Sequence, residues 1–463
     1  MYKEKSGKKG LKEELKKILN DLDIDISEEI RKDQAGYTVS PLMICFPKKS
    51  EDVQNIVKFC NSNFIKIIVW GAGTSLTGTL STKPNENYLL LDMTKMNQIF
   101  DFDPINWTIT VEPGLILEDL NNYLLKRGFI FPPDPASSFM CSIGGVVSEA
   151  SAGMRMIRYG NTRDWIISMK VVLPNGTLVK MGSKLQKDRA GYNILPLFIG
   201  SEGTLGVITE ITLRLTPKPF KDMIMYVFFT NYDYMAAKII QETRRKRVIL
   251  EYAEYINKDV INFIKITNLK ELNFEEGVLI LVVSDKFREI VLDIFRRLDI
   301  QNYKEIFGKN MDFYYELRKI APLAMRALGK KLHSEDIVVP IDKLKQSFIK
   351  IVKIKEKYGI EIPILSHIGD GTIHSTILYN DKQEKEAQKA FQDICRFAID
   401  IGGTISGEHG IGVLKRELLG EQIISKKGLE TLKLMIAVKK LIDPNNIMNP
   451  DKFLPELPGT IGK

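Results

Sequence analysis

A glycine-rich loop that directly follows an apolar segment constrains the fold of this chain more than any other feature. The β-rich run 65–70 leads into Gly71-Ala72-Gly73-Thr74-Ser75-Leu76-Thr77-Gly78. Glycines let backbone N–H groups approach phosphate oxygens, and the hydroxyls add further donors. The third glycine is displaced from the GxGxxG spacing and no helical pattern follows, so a Rossmann fold is not predicted. Taken alone, the loop fits phosphate binding and a simple tight turn equally well.

The length of the chain predicts several domains. A chain of 463 residues is too long for a single hydrophobic core. In the second half, strand-like runs at 223–230, 248–255 and 278–284 alternate with helical segments, of which 386–401 carries a clear apolar stripe. This alternation predicts an α+β domain with an antiparallel or mixed sheet and covering helices, and it begins near residue 218.

Composition and charge exclude several classes of protein. The net charge of +8 comes mostly from dispersed Lys, and the densest basic cluster, 244–247, lacks interleaved aromatic residues, so nucleic-acid binding is not expected. Cys45, Cys60, Cys141 and Cys395 lie far apart without CxxC spacing, which argues against an iron–sulfur cluster and fits a reducing compartment. The Lys-rich N-terminus shows no apolar stretch typical of a signal peptide, and the longest apolar runs are too short to cross a bilayer, so neither kind of segment is expected. We expect a cytoplasmic protein, with peripheral membrane association left open.

Three of the four histidines lie in glycine-rich segments of the second half. His367 and His374 flank Asp370-Gly371, a two-residue hairpin pattern that would place the two imidazoles opposite each other, about 5 Å apart at Cβ. That spacing suits a shared metal, and the two would stay close even in an irregular loop. Glu408 and His409 lie among glycines that permit both side chains to face one cavity. The pattern favours a metal or catalytic site over isolated structural histidines.

Four further motifs carry a family resemblance. In chain order they are Pro132-Pro133-Asp134-Pro135, Ser142-Ile143-Gly144-Gly145, Arg158-Tyr159-Gly160-Asn161-Thr162-Arg163-Asp164 and Gly200-Ser201-Glu202-Gly203-Thr204-Leu205-Gly206-Val207-Ile208-Thr209. With the first loop, they resemble the FAD-binding domain of the vanillyl-alcohol-oxidase and p-cresol-methylhydroxylase superfamily. Within it, the chain is most similar to the glycolate oxidase flavoprotein subunit, D-lactate dehydrogenase and D-2-hydroxyglutarate dehydrogenase family, from about residue 38 to the C-terminus.

The resemblance implies an α+β fold in four parts. Residues 1–37 form an N-terminal helical extension and 38–218 a two-subdomain FAD-binding domain of the p-cresol-methylhydroxylase type. Residues 219–425 form an α+β, ferredoxin-like cap that carries the substrate and metal sites. Residues 426–463 return to the FAD domain.

The resemblance also implies which residues contact FAD. Trp70 stands where relatives often carry Arg, and Ala150-Ser151-Ala152 replaces their Asn-Ala-Gly, so the flavin contacts there differ. No His occurs in the first half, which predicts noncovalent FAD. The implied FAD residues are Gly71, Ala72, Gly73, Thr74, Ser75, Pro133, Asp134, Ser142, Gly144, Gly145, Gly153, Tyr159, Gly160, Glu202, Gly203, Gly206, Val207, Ile208 and Asn449.

The histidine motifs match the family's metal site and base. By resemblance, His367, His374 and Glu408 bind a divalent metal (Zn, Mn or Fe), His409 is the catalytic base, and Arg318 binds the substrate carboxylate. The alternative interpretation of Arg318 is a surface helix residue. The implied reaction combines metal-assisted removal of the hydroxyl proton by His409 with hydride transfer from Cα to flavin N5.

One segment limits the range of candidate substrates. The 2-hydroxyglutarate enzymes carry a Lys where this chain has Ser334, Glu335 and Asp336, so a monocarboxylate such as D-lactate or glycolate is favoured. Thr376 also replaces an Asn of those enzymes. The alternatives are a dicarboxylate dehydrogenase, an alkylglycerone-phosphate-synthase-type transferase and a non-catalytic flavin subunit, and the intact histidine motifs argue against the last two. Electrons would pass to a quinone, an electron carrier or a partner subunit, and a homodimer is left open.

Overall fold

The computed structural model describes residues 8–84, 86–185, 187–218 and 222–457. The start of the predicted N-terminal extension (1–7) and the end of the predicted C-terminal segment (458–463) lie outside these residues. So do residues 219–221, at the expected boundary between the two halves.

Two main sheets organise the first half. One has the order β1-β4-β6-β5, with β4, β5 and β6 parallel and β1 antiparallel, and the other is the antiparallel sheet β11-β10-β12-β8-β7. The α-helices and strands are, in chain order, α1 (Lys8–Asp21), β1 (Asp25–Ser27), β2 (Arg31–Lys32), β3 (Thr38–Val39), β4 (Met43–Phe46), α2 (Ser50–Ser62), β5 (Lys66–Trp70), β6 (Tyr88–Asp92), β7 (Ile99–Asp103), β8 (Thr108–Val111), α3 (Leu117–Leu125), β9 (Phe129–Ile130), α4 (Ile143–Glu149), α5 (Met156–Tyr159), β10 (Ile166–Val172), β11 (Leu178–Gly182), β12 (Val207–Arg214) and β13 (Thr216–Pro217).

One large sheet organises the second half. Its strand order is β17-β14-β16-β15-β20-β21-β18, with β19 pairing to β21, and all of these pairings are antiparallel. The elements are β14 (Met223–Thr230), α6 (Asp233–Arg245), β15 (Leu250–Ile256), α7 (Lys258–Ile266), β16 (Gly277–Ser284), α8 (Arg288–Arg297), β17 (Tyr303–Ile306), α9 (Asp312–Ala327), β18 (Lys331–Ser334), β19 (Ile337–Val338), α10 (Leu344–Tyr358), β20 (Ile364–His367), β21 (Thr372–Tyr379), α11 (Glu384–Asp400), α12 (Arg416–Lys427) and α13 (Leu429–Ile442).

The central strands of this sheet are apolar on both faces because helices cover both. Along β14, Tyr226 and Phe228 pack into a core that includes residues of α6, α8, α10 and α11. The alternate residues Met225 and Val227 pack into a second core that includes residues of α7 and α9. Successive strand residues face opposite sides, so two covered faces produce an uninterrupted apolar run. The predicted α+β class with covering helices is confirmed.

The C-terminal segment lies against the first half. The Ile67 N–H in β5 donates to the Ile447 carbonyl oxygen at 2.7 Å, and the Asn449 N–H donates to the Ile67 carbonyl oxygen at 2.8 Å. Ile447 and Met448 are buried in the same core as α2 and β5. Leu15 and Leu19 of α1 belong to this core as well, so the described part of the chain begins and ends on the same subdomain. No helix in the described part of the chain is long and apolar enough to cross a membrane.

Candidate active site

A large cavity lies between the two halves, and both contribute to its wall. From the second half, it is lined by Arg318, His367, His374, Glu408 and His409. The predicted cofactor residues that line it are Gly71, Ala72, Gly73, Thr74, Ser75, Ser142, Gly144, Gly145, Glu202, Gly203, Gly206 and Ile208. The cavity therefore brings most of the predicted cofactor residues together with all the predicted metal and catalytic residues.

Close backbone approach shapes the cofactor end of the cavity. A Cβ on Gly71 would lie 2.3 Å from Ser142 Oγ, and one on Gly144 would lie 2.6 Å from Pro113 Cβ. Neither position tolerates a side chain unless its neighbours move. The Ser75 hydroxyl is buried without a hydrogen-bond partner among the described residues. Bare backbone and an unsatisfied hydroxyl on one wall fit the diphosphate of a dinucleotide cofactor.

The remaining predicted cofactor residues lie outside the lining of this cavity. Asn449 is buried and donates from Nδ2 to the Glu202 carbonyl oxygen at 2.7 Å. A Cβ on Gly153 would meet the Asp134 carbonyl oxygen at 2.3 Å, so these two segments pack against each other. These two contacts support the wall of the cavity from behind. The residues outside the lining are Pro133, Asp134, Gly153, Tyr159, Gly160, Val207 and Asn449.

Both departures from the family pattern lie at the cavity. Trp70 and Ser151 line it. A Cβ on Gly73, whose φ is +69°, would meet the Trp70 ring at 2.3 Å, so the glycine-rich loop wraps closely around the indole. The guanidinium carbon of Arg31 lies 5.3 Å from the Trp70 ring centroid. The indole ring of Trp70 therefore forms this part of the wall.

His367, His374 and Glu408 form a compact set of metal-ligand atoms. One ligand atom from each side chain lies within 4.8 Å of the other two. Glu408 Oε1 is 3.4 Å from His367 Nε2 and 3.2 Å from His374 Nε2. Burial acts to raise the pKa of Glu408, but the facing imidazoles outweigh this effect and hold that pKa well below its usual value. Its other oxygen, Oε2, is buried with no hydrogen-bond partner among the described residues.

Glu254 orients His367 from behind. His367 Nδ1 lies 2.7 Å and 2.8 Å from the two Glu254 carboxylate oxygens. A carboxylate only accepts, so Nδ1 carries a proton, and Nε2 is the ring nitrogen that faces Glu408. Burial acts to lower the pKa of His367, but the Glu254 and Glu408 carboxylates outweigh this effect and hold that pKa well above its usual value. Arg318 Nε donates to Glu254 at 2.7 Å. Arg318 is buried, so its alternative interpretation as a surface helix residue is wrong.

The predicted hairpin register is wrong by two residues. His367 pairs with Thr372, and His374 pairs with Leu365. The turn contains four residues rather than two, because the Asp370 N–H donates to the His367 carbonyl oxygen and Asp370 Oδ1 accepts from the Thr372 N–H at 2.9 Å. A shift of two residues keeps a side chain on the same face of a sheet. The imidazoles therefore still meet, with ring centroids 4.9 Å apart.

Asp336 holds the loop that carries Glu408 and His409. Its Oδ2 accepts from the backbone N–H groups of Gly407, Glu408 and His409 at 2.9, 2.8 and 2.7 Å. It also accepts the Ser406 hydroxyl at 2.9 Å. Three successive N–H groups converging on one carboxylate explain how adjacent side chains at 408 and 409 can face one cavity.

Lys415 neutralises this carboxylate. Its Nζ lies 2.5 Å from Asp336 Oδ1 and 3.1 Å from Glu335 Oε2, and all three side chains are fully buried. Burial acts to raise the pKa of Asp336, but Lys415 and His409 outweigh this effect and lower that pKa to about 2. Burial raises the pKa of Glu335 to about 7. Of Ser334, Glu335 and Asp336, only Ser334 lines the cavity, so the two acids act on the loop and not on the cavity wall.

His409 stacks against the metal-ligand set. Its ring centroid lies 5.0 Å from that of His374, with the planes 23° apart. Burial lowers the pKa of His409. Its Nδ1 has no hydrogen-bond partner among the described residues, and Asp336 Oδ1 is 3.8 Å away. A neutral imidazole with an unused nitrogen is suited to accept a proton. The fourth histidine, His333, lies elsewhere and stacks on Tyr379.

Glu202 joins the two halves at this loop. Its carboxylate accepts from the Ile411 N–H at 2.6 Å and the Gly412 N–H at 2.8 Å. It also accepts the Thr79 hydroxyl at 3.2 Å. Glu202 lines the cavity, so the same side chain borders the cofactor end and anchors the loop of His409.

The sequence interpretation missed the roles of Glu254, Asp336 and Lys415. Each is a charged residue that is fully buried. Glu254 stands alone within the otherwise uncharged strand run 252–256, and a single acid there indicates a buried partner. Lys415 and Asp336 carry no comparable pattern, because their partners are distant in sequence.

Known proteins resemble both halves of the chain. Residues 41–182 match the FAD binding domain, and residues 218–453 match the C-terminal domain of FAD linked oxidases. The glycolate oxidase subunit GlcD of Bacillus subtilis (strain 168) is 33% identical over 433 residues, which cover 90% of each protein. The mitochondrial D-lactate dehydrogenase (cytochrome) of Arabidopsis thaliana is 33% identical over 434 residues, covering 90% of this chain and 74% of that protein.

A solved structure shares the fold. The crystal structure of p-cresol methylhydroxylase with substrate bound superposes with a TM-score of 0.76 at 17% identity and covers 98% of both chains. This confirms the predicted p-cresol-methylhydroxylase-type architecture.

Proposed function

Because this chain belongs to the family of FAD linked oxidases, we propose that it oxidises a small D-2-hydroxy acid to the corresponding 2-oxo acid. The observation that carries the proposal is the convergence of His367, His374, Glu408 and His409 on the cavity that the glycine-rich loops also line. Relatives named as a glycolate oxidase subunit and as a D-lactate dehydrogenase support this class of substrate.

Two bound groups complete the site. When bound, FAD supplies a hydride acceptor and a divalent cation supplies a Lewis acid that acidifies an alcohol. For FAD, the loop 71–75 and the segment 142–145 offer backbone donors and close approach. The unpartnered Ser75 hydroxyl lies on the same wall. No His precedes residue 333, which is consistent with noncovalent binding.

The donor set suits a transition metal such as Zn, Mn or Fe. Two imidazoles and one carboxylate form a ligand set typical of catalytic zinc and of non-haem iron sites, which leave coordination positions open. The buried, unpartnered Oε2 of Glu408 is an acceptor that a cation would satisfy. Glu254 behind His367 supplies the outer hydrogen bond that fixes the tautomer of a ligating imidazole.

The chain's own residues handle the proton and the charge of the substrate. His409 removes the hydroxyl proton, because its imidazole lines the cavity next to the ligand set and burial lowers its pKa. The Arg318 guanidinium binds the substrate carboxylate through the N–H groups that remain after Nε bonds to Glu254. Asp336 and Lys415 keep His409 and Glu408 in place and do not contact the reacting atoms.

The substrate side of the cavity favours a short monocarboxylate. Ser334 and Thr376 line it as neutral side chains, whereas the resemblance gives the 2-hydroxyglutarate enzymes a Lys and an Asn in these segments. D-Lactate and glycolate fit this wall, and D-2-hydroxyglutarate is the alternative dicarboxylate. The electrons leave to an acceptor that the chain does not supply, such as a quinone, an electron carrier or a partner subunit.

An anaerobic substrate screen tests the function. Metal-replete protein with FAD is mixed with D-lactate, glycolate, D-2-hydroxyglutarate and L-lactate, and the flavin absorbance is recorded. We expect D-lactate or glycolate to bleach the flavin and L-lactate to leave it oxidised. Absence of bleaching by every 2-hydroxy acid would contradict the proposal and favour the flavin transferase or the non-catalytic subunit.

Two histidine variants, compared with each other, test the metal site separately from the reaction. His367→Ala should lose the bound metal along with activity, as measured by elemental analysis of the purified variant. His333→Ala is the matched control for metal content, because His333 pairs with Tyr379 outside the ligand set. Equal metal content in the two variants would contradict the assignment of His367.

A further inference from the structure

A second cavity adjoins the active-site cavity and shares part of its wall. It has a volume of about 570 Å³ and lies between the segment 34–37 and strand β18. Residues of both cavities include Gln34, Leu76, Arg326, Leu332 and Ser334. The second cavity, called the side passage below, therefore adjoins the active-site cavity along the wall that includes Ser334.

Arg326 lies at the junction without a counter-ion. It is partly buried, and among the described residues no carboxylate forms an ion pair with its guanidinium. Its neighbour is neutral: with the Gln34 amide oriented to satisfy both contacts, the amide oxygen accepts from Arg326 Nη1 at 3.0 Å. Burial lowers the pKa of Arg326. A partly buried cation that lacks a carboxylate partner on a cavity wall is suited to an anionic ligand.

The other cations near the passage already have partners. Lys330 Nζ lies 2.5 Å from Glu361, and Lys331 Nζ lies 2.6 Å from Asp381. These exposed pairs leave little net attraction for a third charge. Arg326 is thus the cation at the passage whose charge is free to act on an incoming ligand.

We propose that the substrate acid enters through this side passage and that Arg326 binds its carboxylate at the junction before it reaches Arg318. This inference rests on the proposed function, which supplies an anionic substrate. Both arginines belong to α9 and are eight residues apart, which corresponds to about 12 Å along the helix axis. A carboxylate therefore passes from an unpaired guanidinium to one that is fixed by Glu254 beside the histidines.

The competing occupant of Arg326 is the diphosphate of FAD. Gln34 also donates to the Thr74 carbonyl oxygen in the glycine-rich loop, so the cofactor end is close. The position of Arg326 on the walls of both cavities favours the substrate, because the glycine residues of the cofactor loop line only the active-site cavity.

Charge removal at Arg326 tests the capture step. Arg326→Gln, Arg326→Lys and the remote control Arg297→Gln are compared for FAD content and for steady-state kinetics with D-lactate, or with the acid that bleaches the flavin in the screen, at low and high salt. Arg297 is an exposed residue of α8 that pairs with Asp293. For Arg326→Gln, we expect full FAD content, a decrease in kcat/KM of about tenfold or more, a smaller change in kcat, and a weaker salt dependence. Arg326→Lys should keep the salt dependence.

A plug in the passage tests the route. Ala35 lines only the second cavity, so Ala35→Trp should narrow it without touching the cofactor end. We expect kcat/KM to decrease in Ala35→Trp and to stay at the wild-type value in Ala190→Trp, an exposed alanine far along the chain. Unchanged kcat/KM in both Ala35→Trp and Arg326→Gln would overturn the inference. Loss of FAD in Arg326→Gln would overturn it in favour of a cofactor role. Failure of the wild type to oxidise any acid would instead refute the proposed function.

Discussion

Replacement of Asp336 with Asn should unfold the catalytic loop without touching the cavity wall. The Asp336 carboxylate accepts four hydrogen bonds at Oδ2 and binds Lys415 through Oδ1. An amide has one oxygen and one NH₂ group, so in either orientation Asn faces donors with a donor. Lys415 also keeps its charge in a fully buried position, with Glu335 as its remaining carboxylate partner.

The magnitude follows from the loss of one member of a buried ion pair. Removing one partner costs about 3–5 kcal/mol, because an uncompensated charge stays buried. We expect the free energy of unfolding of Asp336→Asn to decrease by about that amount in urea denaturation. Because the same bonds position Glu408, metal affinity should also weaken by about 10- to 100-fold. The control Asp393→Asn, which breaks a partly exposed pair with Lys357, should cost less than about 1 kcal/mol.

A double variant isolates the charge from the fold. Asp336→Asn combined with Lys415→Met removes the stranded ammonium. The double variant should therefore be more stable than the sum of the two single effects predicts, by about 1–3 kcal/mol. A loss of stability below about 1 kcal/mol in Asp336→Asn, together with wild-type metal affinity, would refute the role assigned to this carboxylate.

Three further predictions concern individual side chains. His409→Ala should lower kcat by about 100-fold or more while FAD and metal stay bound; near-normal turnover of this variant would count against the base assignment. Burial raises the pKa of Glu335 from its model-compound value of 4.5 to about 7, so the folded state binds this proton more tightly, and the wild type should lose up to about 3 kcal/mol of stability as pH rises from about 4.5 to about 7. Glu335→Gln lacks this titration and should gain stability relative to the wild type between about pH 5 and about pH 7.5 in urea denaturation; a pH-independent difference would contradict the shift. Glu254→Gln should weaken metal binding by about 10- to 100-fold, measured by competition with a chelator, whereas unchanged affinity would remove Glu254 from the support of His367.

The strands could be predicted where covering helices impose an apolar pattern. The run 223–230 was predicted with the bounds of β14, because its residues are apolar on both faces and polar residues flank it. The helix predicted at 386–401 differs from α11 (Glu384–Asp400) by two residues at its start, where a preceding turn around Asn380 sets the first residues.

The sequence allowed the metal-ligand residues and the base to be predicted, but not the residues that hold them in place. Glycines around His367, His374 and His409 mark an irregular backbone near polar side chains, which the sequence displays directly. The hairpin register depends on the side chain of Asp370, whose carboxylate bonds to the backbone and lengthens the turn. Asp336 and Lys415 lie 79 residues apart in sequence and meet only through the tertiary fold. No local pattern indicates such a pair.

The bond between Glu202 and the Ile411 and Gly412 amides limits how the two halves can be recombined. A chimera that joins the second half of this protein to the FAD domain of a relative would need an acid at the position of Glu202 to anchor the grafted loop. Without it, two buried amides lose their acceptor and His409 loses its fixed distance from the cofactor end. Engineering a new substrate range by exchange of halves therefore has to treat Glu202 and residues 404–415 as one inseparable unit.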